Sequence, residues 1–258
     1  MKKLLAVLLA ALMLTAVAAC GKTGTNDKAD GNENKASDTL TMATNAEFKP
    51  FEYLEGDKVV GADVDIANAI AEKLGKKLEI VNMDFDGALT GTATGKYDMA
   101  IAGITANDER KANMNFSDDY YMASQAIIVK ADSEIKAAAD LKGKTVSCQE
   151  GTTGEQYLKD NEYSIQAYKS GSEAVSALTA GKVDAVVIDN EVAKALSAEQ
   201  NGATKVLDEA LTKESYAIAL KKGNDELTQQ INKALDELKA DGTLKKIFEK
   251  YDLPVDAE

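Results

Sequence analysis

Arg110 is the only arginine among the 30 basic residues of this chain. It stands with Thr105 in the segment AGITANDER, at the end of a predicted strand at Met99–Gly103. A planar guanidinium can bind a carboxylate through two parallel hydrogen bonds, which a lysine ammonium cannot do. We interpret Arg110 as an anion-binding residue at the end of a strand. The alternative is an ordinary solvated arginine on a helix.

Two other polar segments could hold the charged ends of a small molecule. The segment 151–154 (GTTG) opens a predicted helix, and the backbone N–H groups at the start of a helix bind small anions. Thr152 or Thr153 could instead simply cap that helix. Asp189 follows the apolar run AVVI. It could bind an ammonium group, or it could cap a predicted helix at 190–196.

Aromatic residues make up only 5% of the chain, and several of them fall in predicted loops. Phe48, Pro50 and Phe51 follow the first predicted strand, and Phe85 follows the next one. Flat apolar walls with few polar anchors are typical of small-molecule clefts. The alternative for each of these rings is packing in the core beneath a loop.

An internal repeat relates the segments Asp86–Gly103 and Ser172–Asp189. Each copy has a Gly-Lys-x-Asp tetrad before an apolar run, MAIA or AVVI. The pattern predicts a helix, a glycine turn and a buried strand of a parallel sheet; alternatively, the tetrad is only a common helix-to-strand turn. Two such units predict two α/β lobes of similar build. Because ligands bind outside the carboxyl ends of such strands, Gly103 and Asp189 would stand at one cleft.

Hydrophobic periodicity and turn residues predict the other elements. A first strand is expected at Leu40–Thr44. In the helix that follows, we expect Asp63 to be the N-cap and Gly75 to end the helix. Near the C-terminus, apolar residues recur with a 3.6-residue period. They are Leu227, Ile231, Ala234, Leu235 and Leu238 in the first of two predicted helices.

Two segments of similar composition, Ser124–Lys130 and Ser215–Lys221, are candidates for strands that cross between the lobes. This predicts a first lobe of residues 39–129 and 214–258, a second lobe of residues 130–213, and a hinge of two strands. The predicted fold class is α/β, in which each lobe is a mostly parallel sheet flanked by helices.

The N-terminus has the pattern of an export signal. A basic start and an apolar stretch at 4–17 lead through small residues to Cys20. The segment is too short for a spanning helix and resembles a bacterial lipobox, which implies a lipoprotein signal peptide at residues 1–19 and a lipidated Cys20. An ordinary signal peptide is the alternative. Residues 21–38 contain no Leu, Ile, Val, Met or aromatic residue, which predicts a disordered tether over residues 20–38.

The composition excludes several kinds of chemistry. The chain has no histidine, which excludes histidine-based nucleophilic sites and histidine-ligated metal sites. No Walker loop or dinucleotide-binding glycine motif follows a predicted strand, so we expect no cofactor and no metal. A net charge of −13 argues against nucleic-acid binding. Beside Cys20 the chain has only Cys148, which we expect to be a small buried hydrophobe.

Several segments spread over residues 39–253 form a specific combination. They are NAEFKPFEY (45–53), VGADVDIANAIAEKLG (60–75), MDFDGAL (83–89), KYDMAIAGIT…ER (96–110), FSDDYY (116–121), DLKGKTV…GTTGEQYL (140–158), GKVDAVVID (181–189) and ADGTLKKIFEKY (240–251). Together they resemble the bacterial polar-amino-acid-binding proteins, the extracytoplasmic solute-binding components of ABC importers. The resemblance implies a two-lobed, type II periplasmic-binding-protein-like fold.

The resemblance also implies how the charged groups of an L-amino acid are bound. Arg110 would bind the α-carboxylate with help from the backbone N–H groups of Thr105 and Thr153. The α-ammonium would be held by the carbonyl of Gly103, the hydroxyl of Thr105 and the carboxylate of Asp189. The two lobes would thus form a clamp for a zwitterion, and catalytic residues are not expected.

For the ligand side chain, the resemblance implies a pocket between Phe48 and Phe85, with Asn45, Ala102 and Gln149 nearby. Two of these positions depart from common family patterns. Asn45 stands where cation-selective members often carry aspartate, and Gln149 stands where some glutamine receptors carry lysine. The pattern therefore leaves the bound amino acid open.

The resemblance implies a monomer anchored by the lipid on Cys20 to the outer face of the membrane, which passes its amino acid to the permease subunits of an ABC transporter. Two other classes stay open. A dehydratase-like enzyme on the same fold would need a general acid such as Glu47 or Glu52. A ligand-sensing receptor domain would normally continue into a membrane-spanning and signalling segment, which we do not expect because the sequence ends at Glu258.

Overall fold

Residues 38–255 are the part of the chain that the computed structural model describes, and they form both strands and helices. The predicted signal peptide, Cys20 and almost all of the predicted tether lie outside these residues. Among the helices of the described part, none is both long and apolar enough to cross a membrane.

The elements are numbered in chain order. The first part of the chain forms β1 (Thr39–Thr44), β2 (Glu47–Phe48), β3 (Glu52–Glu55), β4 (Lys58–Val60), α1 (Ala62–Lys73), β5 (Lys77–Asn82), α2 (Phe85–Thr94), β6 (Met99–Ala100), α3 (Asp108–Asn113), β7 (Met114–Phe116) and β8 (Tyr121–Ala123). The remainder forms β9 (Gln125–Lys130), a 3-10 helix (Ala138–Leu141), β10 (Thr145–Gln149), α4 (Thr153–Asp160), β11 (Ser164–Tyr168), α5 (Gly171–Thr179), β12 (Ala185–Asp189), α6 (Asn190–Ala198), β13 (Thr204–Val206), β14 (Glu214–Tyr216), β15 (Ala219–Lys221), α7 (Asp225–Ala240) and α8 (Thr243–Lys250).

Two five-stranded sheets share one architecture. The first has the order β5-β1-β6-β15-β7, and the second has the order β11-β10-β12-β9-β13. In each sheet the first three strands are parallel, and the fourth is antiparallel to both of its neighbours. Four of the five strands in each sheet therefore point the same way, which confirms the mostly parallel sheets expected from the sequence.

The internal repeat occupies equivalent places in the two sheets. α2 ends at Gly95, and α5 is followed by Ala180 and Gly181; both glycines have a left-handed backbone, with φ of 83° and 73°. Each turn leads into the third strand of its sheet, β6 or β12. The predicted succession of helix, glycine turn and strand is confirmed in both copies.

The sheets are connected by β8 and β14, which pair antiparallel. We expected the segments 124–130 and 215–221 to cross. Instead, β8 makes the first crossing just upstream, and the second segment is divided between β14 and β15. β9 pairs with β12 along its length, so residues 125–129 belong to the second sheet, although we expected the first lobe to extend to residue 129. The predicted lobe boundaries, residues 39–129 with 214–258 and residues 130–213, stay a prediction.

The C-terminal helices α7 and α8 pack against α1, beside the first sheet. Every apolar position predicted on α7 is buried, which confirms the 3.6-residue period found in the sequence. The chain therefore returns to the side of the first sheet after β15.

The start of α1 differs from expectation. Its N-cap is Gly61, no side chain caps it, and Asp63 lies within its first turn. The prediction that Asp63 caps the helix is wrong because its fully buried carboxylate is engaged elsewhere. It accepts hydrogen bonds from the backbone N–H of Gly103 and the hydroxyl of Tyr120, both at 2.9 Å. Gly75 follows the last turn with φ of 65°, as predicted.

Gly61→Ala should destabilise the protein more than Gly56→Ala. Both glycines have positive φ, 131° and 62°. A Cβ at Gly61 would lie 2.1 Å from the carbonyl oxygen of Phe51, whereas at Gly56 no atom lies within 4 Å. We expect a loss of about 1–2 kcal/mol for Gly56→Ala and at least about 1 kcal/mol more for Gly61→Ala. Urea unfolding measures both losses, and equal values would contradict this packing.

Candidate functional site

One cavity lies where the carboxyl ends of parallel strands from both sheets meet. The space between its walls, part of which is open to solvent, is about 300 Å³. Strands β1 and β6 of the first sheet end at it, as do the corresponding strands β10 and β12 of the second. Nine of the ten residues predicted to bind a ligand line it: Asn45, Phe48, Phe85, Ala102, Gly103, Arg110, Gln149, Thr153 and Asp189. The tenth, Thr105, is not among the lining residues, and its carbonyl oxygen accepts a hydrogen bond from Arg110.

Arg110 crosses the cavity from the first sheet towards the second. It lies on α3, whose N-cap Asn107 accepts a hydrogen bond from the backbone N–H of Arg110. Its guanidinium donates to the carbonyl oxygens of Thr105 at 2.8 Å and Gly151 at 3.0 Å and lies 5.3 Å from the ring centroid of Phe85. Burial lowers the pKa of Arg110, but an arginine stays protonated. Its remaining N–H donors can bind an anion.

Asp189 supplies the opposite charge at the end of β12. It occupies the N-cap position of α6, yet its side chain makes no capping hydrogen bond. Instead, the carboxylate accepts hydrogen bonds from the hydroxyl of Tyr216 and, at 3.0 Å, from Nε2 of Gln125. Burial raises the pKa of Asp189 to about 7, although the bonds from Tyr216 and Gln125 counteract it. Such a carboxylate suits an ammonium group, whose charge would favour the ionised form.

Asn45 and Gln149 meet across the cavity. Nε2 of Gln149 donates to Oδ1 of Asn45 at 3.0 Å, and Nδ2 of Asn45 donates to the carbonyl oxygen of Met83 at 2.9 Å. Both side chains are buried. This part of the cavity is therefore polar but uncharged.

The apolar walls come from Phe48 and Phe85, which are both buried and line the cavity. Phe48 packs so closely on Gly103 that a Cβ there would lie 2.7 Å from its ring. Only glycine fits this position, where φ is 53°. Phe51, another candidate from the sequence, lies instead in the core, with its ring centroid about 5 Å from those of Tyr121 and Tyr216.

The start of α4 reaches the cavity through Thr152 and Thr153. Thr152 caps the helix by accepting a hydrogen bond from the backbone N–H of Glu155. The hydroxyl of Thr153 instead donates to Glu214 at 2.7 Å, and so does the hydroxyl of Thr105. Thr152 therefore caps the helix, whereas Thr153 does not. Nothing in the sequence near Glu214 distinguished this residue.

Glu52 also lines the cavity, and the sequence pointed to it only as a possible general acid. It is fully buried, and among the described residues neither of its carboxyl oxygens meets a hydrogen-bond donor. Burial raises the pKa of Glu52 well above its ordinary value, and Asp63 raises it further. Burial likewise raises the pKa of Asp63, to about 6. Glu52 and Asp63 are thus two neighbouring buried carboxyls, and burial favours the neutral form of each.

Comparison with protein families gives one match over nearly the whole described part. The model of the bacterial extracellular solute-binding proteins, family 3, matches residues 40–254. The chain belongs to this family. The resemblance found in the sequence is thereby confirmed, and so is the two-lobed type II fold, which the matching solved structures share.

Two of the similar proteins have names that refer to arginine. The arginine-binding extracellular protein ArtP of Bacillus subtilis is 37% identical over 257 residues, which cover 97% of this chain and 98% of ArtP. An ancestral arginine-binding protein is 46% identical. Its structure bound to glutamine has a TM-score of 0.80 and covers 84% of this chain and 98% of that one. Its arginine-bound structure has a TM-score of 0.79, with 83% and 98% covered.

A third similar structure bears on the enzyme alternative. The ancestral amino acid-binding protein AncCDT-1, a precursor of cyclohexadienyl dehydratase, is 37% identical with a TM-score of 0.77. It covers 83% of this chain and 95% of that one. This chain is therefore similar to a binding protein that is described as the precursor of an enzyme.

Asp189→Asn should remove a pH-dependent destabilisation of the free protein. With a pKa of about 7, the folded protein keeps a proton that the unfolded chain loses above about pH 4. The stability of the parent therefore falls between about pH 4 and pH 7. Between pH 5 and pH 8, the unfolding free energy of the variant should rise relative to the parent by about 3 kcal/mol.

Urea unfolding at the two pH values measures this difference. Asp184→Asn is the control, because Asp184 accepts a hydrogen bond from the backbone N–H of Thr145 in exposed surroundings. A pH-independent difference for Asp189→Asn would show that Asp189 is ionised throughout this range.

Proposed function

We propose that this protein binds an L-amino acid in the cavity between its two sheets and delivers it to the permease of an ABC transporter. One observation carries the proposal: Arg110 and Asp189 carry opposite charges into one buried cavity. Within residues 38–255, neither side chain forms an ion pair; the hydrogen bonds of Arg110 go to carbonyls, and those of Asp189 come from neutral donors. A zwitterion supplies the missing partner of each.

In this proposal the α-carboxylate binds Arg110 and the backbone N–H groups of Thr105 and Thr153. The α-ammonium binds Asp189, the carbonyl of Gly103 and the hydroxyl of Thr105. The ligand side chain then extends between Phe48 and Phe85, towards Asn45, Ala102 and Gln149.

The aromatic walls of the cavity suit a ligand with a planar cationic side chain. Among the lining residues, Arg110 is the only cation, and of the two carboxyls, Asp189 and Glu52, burial favours the neutral form of Glu52. A zwitterion neutralises Arg110 and Asp189 together and adds no net charge. L-Arginine adds one positive charge, and a guanidinium stacks well on aromatic faces such as Phe48 and Phe85.

Further acidic residues stand next to lining residues in the sequence: Glu47 precedes Phe48, and Asp86 follows Phe85. Burial raises the pKa of Glu47, and the neighbouring Glu173 raises it further. Burial and the neighbouring Glu150 likewise raise the pKa of Asp86. Lys169 is paired with Glu150, so it offsets only part of this negative charge. We therefore propose L-arginine as the first ligand to test, with L-glutamine as an uncharged comparison.

The proposed setting of the protein is extracytoplasmic. We propose that it acts as a monomer and that diacylation of Cys20 anchors it to the outer face of the membrane, with residues 20–38 as a tether. The family description, which names extracellular proteins, supports the location.

An enzyme is the second candidate function, favoured by Glu52. A fully buried carboxyl whose pKa is raised well above its ordinary value can act as a general acid. Incubation with L-arginine and with prephenate, followed by mass spectrometry, separates the two candidates. A new product that is formed by the parent and not by Glu52→Gln would favour the enzyme.

Arg110→Lys and Asp189→Asn should each weaken binding of L-arginine, measured by titration calorimetry. Loss of one partner of a buried charge pair costs about 2–5 kcal/mol, or about thirtyfold to several-thousandfold in dissociation constant. Arg110→Lys keeps the charge and loses the planar fork, so it separates geometry from charge.

Lys111→Ala, on the same helix as Arg110, and Asp184→Asn, at the start of the β12 segment, are the matched controls. Both should bind like the parent. Affinities of Arg110→Lys and Asp189→Asn within about threefold of the parent, below the smallest loss expected for a buried pair, would refute the clamp. A parent that binds neither L-arginine nor L-glutamine would contradict the proposed function itself.

Cys20→Ser should release the protein from the membrane and leave its fold intact. Two acyl chains are sufficient for stable anchoring, and the cysteine is the residue that would carry them. The measurement is the distribution of the variant between membrane and soluble fractions after a salt wash. Cys148→Ser, in a buried strand position, is the control and should stay in the membrane fraction. Retention of Cys20→Ser would contradict the lipid anchor.

A further inference from the structure

Glu214 begins β14, in the connection that returns from the second sheet to the first. Its carboxylate accepts hydrogen bonds from three threonine hydroxyls. Thr105 and Thr153 donate to Oε2, and Thr212 donates to Oε1, each at 2.7 Å. A carboxylate has about four acceptor positions, so the three bonds can form together.

Two of these threonines come from opposite sides of the cavity. Thr105 follows β6 of the first sheet and forms a β-bridge with Tyr216 of β14. Thr153 begins α4, which follows β10 of the second sheet. One side chain in the connection therefore holds a hydroxyl from each side of the proposed binding site.

These bonds determine the direction in which each hydroxyl can act. A threonine hydroxyl has one hydrogen, and an ionised carboxylate only accepts. The hydrogens of Thr105 and Thr153 must therefore point to Glu214, and each hydroxyl oxygen can only accept from any further group. Thr153 shows this arrangement, because its oxygen also accepts a hydrogen bond from Nε2 of Gln125 at 3.2 Å.

We propose that Glu214 is a positioning residue that makes the hydroxyl of Thr105 an obligatory hydrogen-bond acceptor. The site thereby prefers a ligand α-ammonium, which only donates, over an α-hydroxyl. The inference rests on the proposed binding of an amino acid. It adds a residue that touches no part of the ligand and acts through Thr105.

A purely electrostatic role of Glu214 is the competing explanation. Its carboxylate lies near enough to Asp189 and Arg110 to raise the pKa of each, although burial is the main influence on both. Loss of this negative charge would weaken the attraction for an ammonium with or without the Thr105 hydroxyl. The two explanations differ in whether the effect of Glu214 requires that hydroxyl.

The test combines Glu214→Gln and Thr105→Val, singly and together. Calorimetry or competition gives the affinities for L-arginine and for argininic acid, in which a hydroxyl replaces the α-ammonium. The amide of a glutamine can donate to a threonine oxygen, which would release the hydrogen of Thr105 towards the ligand. We expect Glu214→Gln to weaken L-arginine binding about tenfold or more and argininic acid binding less than about threefold.

In the Thr105→Val background, Glu214→Gln should change the ratio of the two affinities by less than about twofold, because the group through which it acts is absent. An equal change of the ratio in both backgrounds would assign Glu214 an electrostatic role and overturn the proposal. An unchanged ratio in the single variant would overturn it as well.

Glu214→Asp provides a second variant if Glu214→Gln does not fold. Aspartate keeps the negative charge, but its side chain is shorter and its carboxylate would not reach Thr105. The proposal therefore expects the preference for L-arginine over argininic acid to fall, whereas an electrostatic role expects this preference to be kept. Thr212→Val and Glu209→Gln are the controls, and both should keep the ratio of the parent. Thr212 bonds the other oxygen of Glu214, and Glu209 accepts a 2.7 Å bond from the backbone N–H of Ala138.

The same experiment distinguishes the inference from the function on which it rests. L-Glutamine and its 2-hydroxy analogue are measured in parallel with the arginine pair. A parent that binds neither amino acid contradicts the proposed function, and the inference falls with it. If the parent binds an amino acid and Glu214→Gln leaves the ratio of the affinities for the amino acid and its hydroxy analogue unchanged, only the inference is overturned.

Discussion

Two opposite charges share one buried cavity, and in the described part of the chain neither has a charged partner. Burying an unpaired charge is costly unless hydrogen bonds replace water. Arg110 obtains these bonds from two backbone carbonyls, and Asp189 obtains them from a tyrosine and a glutamine. Because all these partners are neutral, each charge is held in place and can still bind a counter-charge. The structure around the cavity keeps Arg110 and Asp189 apart, so that they do not form an ion pair with each other.

The two sheets make the separation possible because each brings the carboxyl ends of its parallel strands to the same cavity. The cation comes from the segment after β6, and the anion ends β12, the corresponding strand of the other sheet. Three further carboxyls lie around the cavity. Asp63 holds the backbone of Gly103, Glu52 lies close to Asp63, and Glu214 binds a threonine from each side. These carboxyls belong mostly to residues around the connection between the sheets and the start of α1.

Much of the fold and most of the candidate site follow from local patterns. The repeated Gly-Lys-x-Asp turn predicted equivalent strands β6 and β12, because a glycine that ends a helix and an apolar run that follows it are properties of neighbouring residues. The single arginine and the resemblance to the family identified nine residues that line one cavity. The crossing strands lie a few residues away from their predicted positions. The reason is that a continuous apolar run such as QAIIVK does not show which sheet the strand joins.

The partners of each charge were decided by the tertiary structure alone. Asp63 has the sequence context of a helix cap, yet its carboxylate binds Gly103, forty positions away, and Tyr120. Asp189 stands at an N-cap position and does not cap, because Tyr216 and Gln125 reach it from other strands. Glu214 gains its role from Thr105, 109 positions earlier in the chain. A side chain with several possible hydrogen-bond partners binds the one that folding brings within hydrogen-bond distance. Which partner that is depends on how the two sheets meet, and the spacing of residues along the chain does not encode this arrangement.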